Sequence, residues 1–151
     1  MKVIYHCYGG SHSSVIAAAL HLKMLDADRL PTSNEMMHLP YFDKTRNSDF
    51  GTIRYMGTDE GGNQVYVLGK KNMGERCTAM LMGVARLWGK ENEVIAVNCM
   101  SRVNLLMMIG GFISRRLGWA WLGRPVLFYG TRDAFDSIAN LVKITRLKSM
   151  Q

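Results

Sequence analysis

The chain has 151 residues, 48% of them hydrophobic, with 19 Lys and Arg against 12 Asp and Glu, which gives a net charge of +7 at pH 7. This length fits a single α/β domain over residues 1–151 with a core of ordinary size. No stretch of about 20 residues is continuously apolar, and the N-terminus has no signal-peptide pattern, so we expect a cytoplasmic protein without a transmembrane segment. The cysteines, Cys7, Cys77 and Cys99, have no metal-ligand spacing, which argues against a disulfide framework and a zinc site.

The first half of the chain alternates short apolar runs with helical periodicity, as parallel strands joined by crossover helices do. Residues 3–7 are predicted to form the first strand, and residues 15–25 a helix that is apolar almost all round. A short helix is predicted over residues 34–38. Residues 53–56 and 64–68 flank a glycine-containing turn, which predicts a β-hairpin.

The second half continues the pattern. Apolar residues recur at helical spacing from Met73 to Trp88, which predicts a helix that ends at Gly89. Further predicted elements are a buried strand over residues 94–97, a helix over 105–117, a last strand over 126–129, and a last helix with Phe135, Ile138, Val142 and Thr145 on one face. The order of elements predicts a three-layer α/β sandwich with a mostly parallel sheet, Rossmann-like or P-loop-like, in which the hairpin is an insertion.

The positive charge is concentrated in the second half. Residues 1–85 carry nine Lys and Arg against eight Asp and Glu, whereas residues 86–151 carry ten against four. Such a surplus favours an anionic partner, although scattered basic residues also suit solvated helix faces. In the sequence, Trp119 and Trp121 lie beside Arg115, Arg116 and Arg124. This group fits a patch that binds a membrane surface or nucleic acid. It also fits a core helix whose end exposes the arginines.

A glycine- and hydroxyl-rich loop, residues 7–14, lies between the first strand and the first helix. Backbone N–H groups at such a turn and the positive end of the helix dipole attract anions. The predicted anion-binding residues of the loop are Gly9, Gly10, Ser11, Ser13 and Ser14. Since the carboxyl ends of parallel strands form the ligand crevice, Arg102, Thr131 and Arg132 are added to this site, although Thr131 also fits an N-cap of the last helix.

The loop resembles that of low-molecular-weight protein tyrosine phosphatases, in which a nucleophilic cysteine opens a loop that closes on arginine and serine at the helix start. Cys7 and Ser14 match the cysteine and the serine, whereas Ser13 stands in the place of the arginine. That arginine clamps the phosphoryl oxygens, so its absence argues against ordinary phosphatase activity.

The loop is also similar to that of the cysteine-phosphorylated IIB subunits of sugar phosphotransferase systems, which have no arginine there. Cys7, Gly9, Gly10, Ser13 and Ser14 fit that order. The resemblance implies a Cys7 thiolate that accepts a phosphoryl group, and the helix N-terminus together with His12 or His6 would lower its pKa. The alternative is that Cys7 is a small buried residue at the end of a strand.

A Walker-type loop is a third comparison, in which Ser13 and Ser14 would contact phosphates and Mg²⁺. The expected lysine is missing, so Lys70 or Lys71 would have to replace it. Asp43 or Asp49 would assist the metal, although both aspartates also suit an exposed loop.

Further segments extend the resemblance over the whole chain: residues 4–10, 12–14, 39–43, 56–60, 110–112, 123–125 and 129–132. On these segments the chain resembles an uncharacterised family of small bacterial proteins, mainly from Firmicutes, known as a domain of unknown function. The resemblance implies no particular activity.

We therefore expect a domain that binds a phosphorylated small molecule or a nucleotide at residues 9–14, with Mg²⁺ if the ligand is a nucleotide. In an enzyme, Cys7 would be the nucleophile or phosphoryl acceptor, and His12 would tune its pKa or transfer a proton. In a binding module, Cys7 would be structural. The alternative is a non-catalytic interaction protein whose basic C-terminal half binds nucleic acid or a protein partner.

Overall fold

The computed structural model describes residues 1–150, with Arg115 and Arg116 described by their backbone alone. Its strands are β1 (Lys2–Cys7), β2 (Ile53–Thr58), β3 (Gln64–Gly69) and β4 (Val94–Asn98). Its helices are α1 (Ser13–His21), α2 (Ser33–His38), α3 (Arg76–Leu87), α4 (Leu105–Gly111), α5 (Ala120–Asp133) and α6 (Phe135–Ser149). A π-helical turn, Phe112–Arg116, follows α4 directly.

The strands form one open, mostly parallel sheet in the order β2-β3-β1-β4. β1 lies between β3 and β4 and is parallel to both, whereas β2 pairs with β3 in the predicted antiparallel hairpin. Because the three parallel strands run in the same direction, their carboxyl ends at Cys7, Gly69 and Asn98 lie side by side at the same end of the sheet. The α/β class and the hairpin are confirmed.

Helices cover both faces of β1. Val3, Tyr5 and Cys7 belong to the core that α1 and α6 share, whereas Ile4 packs with Cys77 of α3 on the other face. Side chains of a strand alternate between faces, so one strand contributes to both layers. The whole of α1 is buried, and a run of three alanines, Ala17–Ala19, lets its backbone lie close to the sheet.

Several predicted elements have different ends in the structure. The first helix ends at His21 rather than at residue 25, because Lys23 adopts a left-handed φ of 56° and its N–H bonds back to the Leu20 carbonyl. The predicted strand at 94–97 is present as β4, but it lies at the edge of the sheet and only Val97 is fully buried. The predicted helix at 105–117 divides into α4 and the π-helical turn.

The strand predicted at residues 126–129 is wrong, because these residues lie within α5. A run of four apolar residues fits a strand or a helix equally well by periodicity. Here the packing decides: a Cβ on Gly123 would collide with the Ser114 backbone and one on Gly130 with the Met107 backbone, so α5 lies tightly against α4 and the π-helical turn. Thr131 is therefore inside α5 and does not cap α6, whose N-cap is Ala134.

Within the described chain, no helix is both long and apolar enough to cross a membrane.

Candidate functional site

The loop between β1 and α1 is shaped by close contact with the end of β3. Gly10 has a φ of +66°, and a Cβ there would lie 2.5 Å from the Gly69 nitrogen. A Cβ on Gly69 would in turn lie 2.7 Å from the Gly9 oxygen. The Lys70 N–H donates to the Cys7 carbonyl at 3.0 Å, which ties the two strand ends together. Glycine is therefore required at Gly10 because of its positive φ, and at both Gly10 and Gly69 because a Cβ would collide with the backbone.

The Cys7 sulfur lies at the base of this loop and accepts several hydrogen bonds. The Gly10 N–H donates to it at 3.1 Å, and the Ser14 hydroxyl lies 3.1 Å from it. Burial alone would raise the pKa of the Cys7 thiol, but hydrogen bonds from the Ser14 hydroxyl and from the N–H groups of Ser14 and His12 lower it below its ordinary value. The loop thus favours the thiolate, the reactive form of cysteine.

The other two cysteines behave differently. Cys99 is fully buried, and burial raises the pKa of its thiol well above the ordinary value. Burial also raises the pKa of Cys77, under α3 on the other face of the sheet. Of the three cysteines, Cys7 alone has a lowered pKa.

Ser13 opens α1 beside the Cys7 sulfur. Its hydroxyl lies close enough to favour the thiolate, yet its oxygen is buried and makes no hydrogen bond of ordinary geometry. Buried hydroxyl groups usually have a partner, because leaving one unpaired costs about 1–3 kcal/mol. An unpaired hydroxyl at the positive end of a helix is suited to an anion.

A cavity of about 680 Å³ lies directly over the loop. Its floor includes Cys7, Gly9, Ser11, His12 and Ser13. Its other polar lining residues include Thr45, Arg46, Asn47, Lys71 and Asn72, and its apolar lining residues, referred to below as its apolar side, include Tyr8, Phe50, Met100, Val103, Met107, Met108 and Phe112. Among the described residues that line this cavity there is no Asp or Glu.

A second hollow of similar size lies along α6, but its charges are mixed. It is lined by Asp28 and Asp136 as well as by Lys143 and Arg146. The cavity over the loop is therefore the better candidate for an anion site.

Two cations face the cavity over the loop. Lys71 follows β3 with a left-handed φ of 48°, and its Nζ lies 4.5 Å from the centre of the Phe50 ring. Arg46 is exposed at the mouth. Among the described residues, positive charge from two different segments therefore lines the same cavity as the N-terminus of α1.

His12 is held by a buried carboxylate. Its Nε2 lies 3.2 Å from Oδ1 of Asp43, whose Oδ2 accepts hydrogen bonds from Ser114 Oγ at 2.9 Å and Arg124 Nε at 3.0 Å. Burial alone would raise the pKa of Asp43, but the hydrogen bonds from His12 and Arg124 lower it. Asp43 thus joins the loop to the α4–α5 region and fixes the orientation of the His12 ring.

Arg54 supports the loop from outside the cavity. Its Nη2 donates to the Gly10 carbonyl at 2.6 Å and to Thr45 Oγ1 at 3.0 Å, and its guanidinium stacks 4.5 Å from the Tyr41 ring centre. Asp49 lies 3.7 Å from its Nη1. Arg54 holds a strained turn in place without lining the cavity.

The structure brings together the predicted loop residues but not the predicted residues from other strand ends. Arg102 donates to Ser137 of α6, while Thr131 and Arg132 lie inside α5; none of the three lines the cavity. Gly10 and Ser14 contact the Cys7 sulfur rather than the cavity.

His6 cannot lower the pKa of Cys7, because its ring lies on the other face of the sheet and bonds Thr78 of α3. Burial, followed by the charge of Lys70, lowers the pKa of His6 to about 4, so the ring is neutral at pH 7. Lys70 is also directed away, with its Nζ on the Gly74 carbonyl and on Asn98.

The two aspartates considered for a metal do not lie at the cavity. Asp43 is buried in the network with His12 rather than exposed, and Asp49 accepts from the Arg46 N–H at 2.6 Å. In the part of the chain that the structure describes, no group of three or more His, Cys, Asp or Glu side chains is arranged to hold a metal ion.

Sequence reasoning missed Arg46, Phe50 and Arg54 as parts of this region. The segment around residues 40–50 has no periodicity to place it, and only the packed structure shows that it forms one side of the cavity. The single available signal was the segment 39–43 among those that carried the family resemblance.

Comparison with known proteins gives a family and no closer relative. No curated protein and no solved structure matches the chain. A protein family described as "Protein of unknown function (DUF3189)" matches residues 2–147, which is nearly the whole chain. This extent confirms the resemblance to an uncharacterised family that the sequence segments indicated. The chain belongs to the DUF3189 family.

Proposed function

We propose that this protein binds a phosphorylated small molecule or a nucleotide, with the phosphate at the N-terminus of α1 against residues 9–14. The observation that carries the proposal is the lining of the cavity, which combines a helix N-terminus with Arg46 and Lys71 and has no carboxylate among its described residues. The unpaired Ser13 hydroxyl provides a donor for a phosphate oxygen. A phosphate-binding loop between the first strand and the first helix is also what Rossmann-like and P-loop-like domains use.

The size and the apolar side of the cavity are suited to an organic phosphate. Small-molecule sites usually have volumes of about 300–1,000 Å³, and this cavity has about 680 Å³. Inorganic phosphate would contact the floor alone. A sugar, an aryl group or a base attached to it would reach the methionines and Phe112 of the apolar side.

A phosphoryl transfer step through Cys7 is favoured by the hydrogen bonds on its sulfur. In this step the thiolate attacks phosphorus, the S–P bond forms and the P–O bond to the organic group breaks. The departing oxygen takes a proton from His12 or from water. Water or a second alcohol then removes the phosphoryl group from Cys7. Arg46 and Lys71 would supply the positive charge that the phosphatase loop takes from its arginine.

The binding proposal is tested by thermal shift of the purified protein with phosphate, vanadate, sugar phosphates, and nucleotides with and without Mg²⁺. A ligand at 100 times its Kd stabilises by about 2.7 kcal/mol, or roughly 5–10 °C for a domain of this size. Lys71→Met should reduce the shift, because it keeps the side-chain length and removes the charge. Lys148→Met removes the same charge at the exposed end of α6 and should leave the shift unchanged. A cooperative melt that no compound moves would refute the proposal.

The role of Cys7 is tested separately by hydrolysis of an aryl phosphate and by trapping the phosphorylated protein. Cys7→Ser should bind the ligand as the unmodified protein does and lose both activities. Binding without turnover or labelling in either form would leave a binding module in which Cys7 is structural.

A further inference from the structure

The helix α4 exposes an apolar stripe. Leu105, Met108, Ile109 and Phe112 recur at the spacing that places residues on one side of a helix, and all four are exposed, Leu105 by 69%. The opposite side, with Met107 and Gly110, is buried. Amphipathic helices normally bury their apolar side, yet among the described residues Leu105 and Ile109 have no partner along the stripe, whereas Met108 and Phe112 also line the cavity over the loop.

The connection between α4 and α5 and the first turn of α5 expose further large apolar side chains. Leu117, Trp119 and Trp121 are all exposed, Trp121 by 80%. Together with the four stripe residues, of which Phe112 lies in the π-helical turn after α4, they are named here the hairpin face, after the helical hairpin of α4 and α5. An exposed apolar area that extends over a helix and the adjoining turn is typical of an interaction surface.

The hairpin face cannot turn inward onto its own chain. A Cβ on Gly110 would collide with the Leu127 backbone. A Cβ on Gly123 or Gly130 of α5 would collide just as closely with the backbone of α4 or of the π-helical turn. The two helices are thus locked together through glycines, as small residues allow. Rotation of α4 to bury its stripe would break this packing.

The chain segment that carries the hairpin face is basic. Between Glu93 and Asp133 there is no Asp or Glu, and there are five arginines: Arg102, Arg115, Arg116, Arg124 and Arg132. Arg124 pairs with the buried Asp43, and Asn104 at the start of α4 donates to Asp133, so the surplus of positive charge comes from the other arginines of the segment. Apolar side chains on an arginine-containing segment without Asp or Glu are complementary to a surface with anionic groups on the outside and an apolar interior.

We propose that the hairpin face docks on a membrane surface rich in anionic lipids, with the two tryptophans at the level of the headgroups. Tryptophan prefers this level because its ring is apolar and its N–H is polar, and each basic residue near such a surface strengthens the attraction to anionic lipids. The aliphatic side chains distinguish lipid from nucleic acid, since Leu105, Ile109 and Leu117 have no ring that could stack on a base. The helix pair lies on the membrane and does not span it.

The test is flotation of the full-length protein with vesicles of phosphatidylcholine alone and with 30% phosphatidylglycerol. We expect binding to the anionic vesicles, weakened by 0.5 M salt, and little binding to the neutral ones. The double variant Trp119→Ser, Trp121→Ser should lower the bound fraction at least about tenfold. Leu105→Glu should also lower the bound fraction, because it places a negative charge on the apolar stripe of α4. Trp88→Ser is the matched control, because Trp88 is 73% exposed at the end of α3, away from the hairpin face.

Several results would overturn the proposal. These are absence of binding to anionic vesicles, equal binding to neutral ones, or equal loss in the Trp88→Ser control. Binding of a single-stranded oligonucleotide without vesicle binding would assign the face to nucleic acid instead. Concentration-dependent dimers that the double variant abolishes, without vesicle binding, would assign it to contacts between copies. Circular dichroism of each variant confirms that it is folded.

Discussion

Replacement of Ser14 by alanine should make the Cys7 thiol a weaker acid without unfolding the protein. The Ser14 hydroxyl lies 3.1 Å from the sulfur and stabilises the thiolate. A hydrogen bond to a charged group contributes about 1.5–3 kcal/mol, and 1.4 kcal/mol corresponds to tenfold in an equilibrium constant. The thiolate fraction of Cys7 below its pKa should therefore fall by about tenfold or more.

Alkylation with iodoacetamide measures this effect, because the thiolate is the form that reacts. The rate at Cys7 is followed by mass spectrometry of its peptide over a series of pH values. Cys77 and Cys99 serve as internal controls: the pKa of both is raised by burial, so they should react slowly and be unaffected by the variant.

An alkylation rate at Cys7 that Ser14→Ala leaves within about twofold of the original would show that the Ser14 hydroxyl does not stabilise the thiolate. Faster reaction of Cys99 than of Cys7 at neutral pH would contradict that stabilisation as well. Ser13→Ala is a useful neighbour, since its hydroxyl makes no hydrogen bond of ordinary geometry and its loss should have a smaller effect.

Three further predictions concern stability, measured by urea unfolding. Gly10→Ala should lower the free energy of unfolding by more than about 3 kcal/mol, because it adds a backbone collision to the strain of a positive φ. Gly51→Ala, also at positive φ but with open space around it, should lower it by only about 1 kcal/mol. Equal losses in the two variants would contradict the close packing at Gly10. Because the pKa of His6 is about 4 in the folded chain and 6.5 in the unfolded one, the unfolded chain takes up the proton first, so stability should fall by up to about 3 kcal/mol between pH 6.5 and 4. His6→Gln should flatten that fall, and an unchanged slope would exclude His6 as its source. Asp43→Asn should cost at least about 2 kcal/mol through its contacts with His12 and Arg124, so a loss below about 0.5 kcal/mol would contradict the network.

The strands of the parallel part and the hairpin could be predicted from the sequence because their signals are local. β1 is an apolar run followed by a glycine turn, and β2 and β3 flank a turn with the composition that hairpins require. The loop after β1 was predicted as a site on the same grounds, since a strand, a glycine turn and a helix follow one another directly.

The errors lie where tertiary contacts decide. Residues 126–129 read equally well as a strand or a helix, and only the contact of Gly123 and Gly130 with the other helix selects the helix. With that strand lost, Thr131 and Arg132 could not lie at a strand end. Asp43 looked like an exposed loop residue because nothing in the sequence brings Arg124, eighty-one positions later, to its carboxylate.

The most direct test of the anion site is the position of tungstate in crystals soaked with this phosphate analogue, located by its anomalous scattering. We expect tungstate at the N-terminus of α1, within hydrogen-bond distance of the Ser13 hydroxyl and beside the Cys7 sulfur, with Lys71 directed toward it. Tungstate bound elsewhere, with the loop empty at the same concentration, would contradict the account.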